Sequence, residues 1–252
     1  MIIDILTGFP EIFSGLVNSS ILRNALLSGA ADIWVHDLRH YTSDRHGNID
    51  DAPYGGGAGM VLMAQPVWAA LDALSKLRSG EPQRIYLSPQ GVMLTQTRVR
   101  ELVDVPWLVL LCGHYKDVDA RIFERDTWSE VSIGDYVLSG GELPAAVLVD
   151  AIVRLLPGVI SDAESADTDS FEDGLLDAPY YTKPEELDGL QVPDVLLSGH
   201  HEKIRKWRAE QRIERTKVRR PDLWEAYQAR LTSPNPPAPG GGSDQSKLRT
   251  KK

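Results

Sequence analysis

The chain has 252 residues, 42% of them hydrophobic, enough to bury a sizeable core in one large domain or in a large and a small one. Its longest apolar runs, such as Trp107 to Cys112, fall far short of the roughly 20 residues of a membrane-spanning helix, and Met1-Ile2-Ile3-Asp4-Ile5-Leu6 reads as a first strand, not a signal peptide. A single cysteine, Cys112, excludes an intrachain disulfide and a multi-cysteine metal site, so a reducing, cytoplasmic setting is expected.

In chain order, short β-rich runs at Ile2 to Leu6, Ile33 to Leu38, Arg84 to Leu87 and Leu108 to Leu111 alternate with helical stretches at Pro10 to Ser28, Gln65 to Leu77, Thr95 to Leu102 and Leu143 to Leu155. This alternation predicts an α/β fold: a mainly parallel sheet with helices on both faces. The spacing predicts a first domain over 1–160. Residues 161–190 are acidic and rich in Ser, Asp and Gly, with no helical or strand period, and read as a flexible linker. Helical spacing returns in 191–232, predicting a small helical domain, and 233–252 reads as a disordered basic tail.

The formal charge of −9 argues at first against a nucleic-acid partner. The charge is unevenly spread, however. Residues 1–160 carry 12 basic and 19 acidic groups, 161–190 carry 1 and 10, and 191–252 carry 14 and 7. Nine Lys and Arg lie between Lys203 and Arg220, dense enough to meet a phosphate backbone.

Three segments share one design, a strand running into a Gly, Pro or Ser loop: Ile85 to Gly91, Val109 to Tyr115, and Ser132 to Glu142. In an open α/β sheet ligands bind at the carboxyl ends of strands, and glycine lets backbone amides and carbonyls approach a flat heterocycle. Each loop taken alone reads equally well as a tight turn into a helix; the three together could form an adenine pocket. A fourth glycine cluster, Asp50 to Met60, lacks the Gly-Lys-Ser/Thr ending of a phosphate loop. It fits either a loop that closes on a bulky substrate or a passive connection.

Taken together and in order, Pro53-Tyr54-Gly55-Gly56-Gly57-Ala58-Gly59-Met60, Tyr86-Leu87-Ser88-Pro89-Gln90-Gly91, Ser132-Ile133-Gly134-Asp135-Tyr136-Val137-Leu138-Ser139-Gly140-Gly141-Glu142-Leu143-Pro144, Asp169-Ser170-Phe171, Gly174-Leu175-Leu176-Asp177 and Val195-Leu196-Leu197-Ser198-Gly199 resemble the bacterial tRNA (guanine-N1)-methyltransferase family, from the first strand to about Tyr227. The resemblance implies a deep trefoil knot of the SPOUT class and a homodimer with its active site at the subunit interface. It also implies methyl transfer from S-adenosylmethionine to N1 of guanosine 37 of tRNA, beside the anticodon. The residues it implies around S-adenosylmethionine are Tyr86, Leu87, Ser88, Pro89, Gly113, Tyr115, Ile133, Gly134, Tyr136, Leu138, Gly140 and Gly141. Substrate contacts are implied for Asp50, Gly55, Gly57, Gly59, Arg154, Asp169 and Ser170.

Guanine N1 carries a proton at neutral pH and is a poor nucleophile until a base removes it, which pushes negative charge onto O6. The resemblance makes Asp169 that base and Arg154 the partner of O6. One departure stands out: where the commonest family pattern has Gly-Arg-Tyr-Glu-Gly, this chain reads Gly113-His114-Tyr115-Lys116-Asp117. A role for Mg2+ is left open by that exchange, since no acidic side chain stands at Lys116. No cluster of His and Asp has metal spacing, with His200-His201 and Asp44-Arg45-His46 the nearest approach. Two other readings are a ribose 2′-O-methyltransferase of the same knotted class and an RNA-binding module that has lost catalysis.

Overall fold

A computed structural model describes residues 1–160 and 169–232. The chain divides into two compact units, Met1–Ala163 and Glu164–Lys252.

The first unit is built on five parallel strands in the order β2-β1-β6-β5-β8: β1 (Ile2–Thr7), β2 (Asp32–Asp37), β5 (Gln83–Met93), β6 (Trp107–Cys112) and β8 (Ser129–Ser132). All six residues of β6, Trp-Leu-Val-Leu-Leu-Cys, are buried, as expected for the centre of a parallel sheet covered on both faces. Side chains alternate between the faces with the period of a strand. Ile3, Ile5, Leu108 and Leu110 join one core cluster. Leu6, Trp107, Val109 and Leu111 join the other. On the first face pack α2 (Ser20–Ser28) through Leu22 and Ala25, α4 (Gln96–Val103) through Val99 and Leu102, and α6 (Glu142–Val153) through Ala145, Leu148, Val149 and Ile152. The opposite face is covered by α3 (Ala64–Leu77), whose Val67, Ala70, Leu71 and Leu74 recur at helical spacing, and by α5 (Arg121–Arg125) through Ile122. A second small sheet pairs β3 (Asp50–Asp51) antiparallel with β4 (Val61–Leu62), and β4 parallel with β7 (Asp117–Val118).

The single helix expected over Pro10 to Ser28 is not formed. The segment is a 3-10 turn at Pro10–Phe13, a short α1 (Ser14–Val17) and then α2. Asn18 Nδ2 and Ser19 Oγ donate to the carbonyls of Ser14 and Gly15. These side chains satisfy backbone acceptors that a continuous helix would have used, and the chain turns at Ser19 and Ser20. The expected end of the strand at Leu87 is also different: β5 continues to Met93, with an irregularity in its pairing to β8 between Leu87 and Val92.

In the second unit, where the sequence shows no period, a hairpin of β9 (Glu186–Leu187) and β10 (Leu190–Gln191) is formed. It leads to α7 (Asp194–Leu197), α8 (His201–Arg219) and α9 (Pro221–Thr232). Residues 169–178 fold back on α8. Leu176 N donates to the buried Thr216 Oγ1 at 2.9 Å, and Arg212 grips the Asp173 carboxylate at 2.6 and 2.9 Å. The tail expected at 233–252 and the first part of the expected linker, 161–168, lie outside the described residues. Among the described residues no helix is long and apolar enough to cross a membrane.

Candidate active site

Because β5, β6 and β8 run parallel, the loops that follow or interrupt them emerge at one edge of the sheet, and they enclose a cleft of about 730 Å³ counting its open mouth. All twelve residues expected around the cofactor line this one cleft: Tyr86, Leu87, Ser88 and Pro89 from β5, Gly113 and Tyr115 after β6, and Ile133, Gly134, Tyr136, Leu138, Gly140 and Gly141 after β8.

Close packing makes the glycines necessary. A Cβ on Gly141 would lie 2.7 Å from Cys112 Cα, and one on Gly113 2.7 Å from Tyr86 Oη. The loops are joined by Gly141 N donating to Gly113 O at 2.7 Å and by an antiparallel bridge between His114 and Gly140. Tyr86 Oη donates to Asp117 Oδ1 at 2.9 Å, and burial followed by the Asp117 charge pushes the phenol up. Ser132 Oγ meets both N and O of Gly134, and Tyr136 N donates to Gly134 O, closing the turn after β8.

The glycine cluster at 55–59 stands at the same edge. Gly55, Gly56, Gly57 and Gly59 all have left-handed backbones, with φ of 85, 76, 116 and 94°, a conformation that other residues adopt at a cost. The end of this loop is tied to the cleft by pairing of β4 with β7 and by Lys116 N donating to Met60 O at 2.9 Å. At its start stands Asp50: burial, then the Asp50 charge, raise the Tyr115 phenol. Tyr115 itself is left-handed at φ 63°, an uncommon backbone for a bulky residue outside functional turns.

Arg154 caps the end of α6 in the first unit, whereas Asp169 and Ser170 belong to the second. Ser170 Oγ accepts from Asp177 N at 3.0 Å, and Asp169 O accepts from Glu172 N, so both stand in a hydrogen-bonded turn. Gln90, Lys116, Asp117, Ser139 and Pro144 also line the cleft and were not among the expected contacts. Gln90, Ser139 and Pro144 lie inside the motifs that carry the resemblance, a signal that could have found them. Asp117 carried none. Among the described residues no group of three or more His, Cys, Asp or Glu is placed to hold a metal ion.

A glycine-lined cleft at the carboxyl edge of a parallel sheet is where open α/β proteins place their ligands. The family model described as tRNA (Guanine-1)-methyltransferase TrmD matches residues 1–226. A tRNA (guanine-N(1)-)-methyltransferase of Shouchella clausii is 50% identical over 228 residues, 90% of this chain and 93% of the relative. Relatives of the same name in Halalkalibacterium halodurans, 51% identical over 89% of this chain and 92% of theirs, and Shewanella frigidimarina, 50% over 89% and 91%, are similarly close. The chain belongs to the tRNA (guanine-1)-methyltransferase family.

Proposed function

We propose that this chain methylates N1 of guanosine 37 in tRNA, using S-adenosylmethionine, as a cytoplasmic homodimer. The observation that carries the reading is the convergence of all twelve expected cofactor residues, from three separate segments, on one cleft in a chain of this family. At Gly113, Gly140 and Gly141 the cleft wall is packed too closely to admit a side chain. These features fit a flat heterocycle held by main-chain groups.

When bound, S-adenosylmethionine supplies an electrophilic methyl group on a positively charged sulfur. The chain's own part is to prepare the base. Asp169 takes the N1 proton and the Arg154 guanidinium receives O6 as negative charge builds there, which leaves N1 with the free electron pair that a methyl donor held in the cleft would require. Asp50, Gly55, Gly57, Gly59 and Ser170 contact the RNA, and α8 meets its phosphates with the Lys203 to Arg220 basic run.

The interface reading has support in α6. Leu143 and Val147, one turn apart, are exposed, and helical spacing carries the same face on to Asp150 and Arg154. A partner subunit covering that face would place Arg154 at the contact. The same reading takes in the deep trefoil knot that the family resemblance implies.

The test is transfer of labelled methyl from S-adenosylmethionine to unmodified tRNA with guanosine at position 37, with the modified atom mapped. The native chain is expected to yield N1-methylguanosine. Asp169→Ala should lower kcat by about 100-fold or more while both ligands still bind. Methylation of a ribose hydroxyl would move the chain to the 2′-O class, and RNA binding without transfer would make it a binding module.

A further inference from the structure

Glu142, the first residue of α6, is 2% exposed. One carboxylate oxygen accepts a 2.7 Å hydrogen bond from Thr7 Oγ1 at the end of β1. The other lies 3.6 Å from His114 Nδ1. Neither neighbour is a fixed cation. A carboxylate withdrawn from water with a hydroxyl and an imidazole for company is a costly placement, offset in part by the helix N-terminus.

Its position explains what the placement can do. A Cβ on Gly140 would lie 2.3 Å from Glu142 Oε2 and from His114 Nδ1, so the carboxylate stands directly behind the cleft wall formed by His114, Gly140 and Gly141. Its charge is felt there: burial and then Glu142 push the Cys112 thiol up, and Glu142 adds a smaller share to the rise of Tyr115 after burial, Asp50 and an opposing Arg39. The other charged side chains of the cleft are differently placed. Asp117 is occupied by Tyr86 and by Val118 N, and Lys116 is exposed, where solvent screens it.

Resting on the function proposed above, we propose that Glu142 is a specificity-determining residue that selects for positive charge on the cofactor's sulfur. Methyl transfer turns a cationic sulfonium into a neutral thioether. A buried negative charge behind the wall favours the first over the second, because low surrounding polarity leaves its field unscreened. The site thereby holds S-adenosylmethionine in preference to S-adenosylhomocysteine and lets the spent product go.

The experiment is calorimetric titration of the full-length chain with three probes: S-adenosylmethionine, S-adenosylhomocysteine, and sinefungin, in which a protonated amine replaces the methylsulfonium. Glu142→Gln keeps the shape and removes the charge. It should weaken S-adenosylmethionine and sinefungin by about tenfold and S-adenosylhomocysteine by less than about twofold. Glu142→Asp, which restores the charge, should restore the preference. His114→Arg, which sets a fixed cation against the carboxylate without altering it, should lower the preference as Glu142→Gln does, and serves if that variant does not fold. Equal weakening of all three probes, or an unchanged preference in both charge-altering variants, overturns the proposal and leaves the proposed function standing. A native chain that binds none of the three overturns both.

Discussion

Asp4 has no exposed surface, yet it sits mid-strand in β1 with three side chains bonded to it. Arg78 grips it at 2.6 and 2.8 Å, Trp107 Nε1 donates at 2.8 Å, and His36 Nε2 lies at 2.8 Å with Tyr41 behind its other nitrogen. Burial by itself would raise the carboxyl, but the bonds from His36, Arg78 and Trp107 together outweigh it and hold Asp4 below the usual carboxylate range. A depressed folded value contributes stability above the unfolded value of about 3.9, and that contribution is lost as pH falls through the folded value. Asp4→Asn leaves Arg78 without its anion and should destabilise the chain by about 3–5 kcal/mol in urea unfolding at pH 7. The gap between variant and native chain should narrow as the pH is taken below about 4. A gap that stays constant to the lowest pH would show that Asp4 carries no depressed titration. Nothing in the sequence pointed to this cluster, since its members lie up to 103 residues apart and meet only through strand register.

The elements were more legible than their interruptions. Strand positions and the helices near 65–77, 95–102 and 143–155 follow from apolar periodicity, because burial against a sheet needs that periodicity whatever the topology. What periodicity missed is local polar competition, as at Asn18 and Ser19, and close backbone approach, as in β5. There the segment Ser88 to Gly91 is shaped by its neighbour: a Cβ on Gly91 would fall 2.4 Å from both Glu130 C and Val131 N. Those atoms are backbone of the paired strand and cannot swing aside, so Gly91→Ala must part β5 from β8 next to the cleft. The expected result is a loss of about 1–3 kcal/mol in urea unfolding together with weaker S-adenosylmethionine binding. Native stability in the variant would mean that the two strands are not in this contact. The twelve cleft residues were legible for another reason: the resemblance carried them as short motifs, and motifs survive where contacts across 100 residues leave no local trace.

At the scale of the whole molecule, net charge is a poor guide, because −9 is the sum of an acidic body and a basic end. A knot is equally closed to periodicity, since it is a property of the path of the chain and true knots are rare enough that no pattern argument should invoke one. Association is different, because it leaves a physical trace on the surface. Leu143 and Val147 on α6 are 55% and 48% exposed, Val92 on β5 is 78% exposed, and Val137 in the cleft lining is 85% exposed. Apolar side chains exposed on a helix have a hydrophobic incentive to find cover, and a second copy of the same face supplies it symmetrically. Replacing both Leu143 and Val147 with Glu puts two like charges on each side of such an interface, where desolvation and repulsion act together. The double variant should sediment as a monomer at concentrations where the native chain is a dimer. Because Arg154 lies on the same face of α6, the monomer should also lose methyl transfer. A monomeric variant with native transfer would show that one subunit holds a complete site, and a native chain that sediments as a monomer would remove the interface from the proposal.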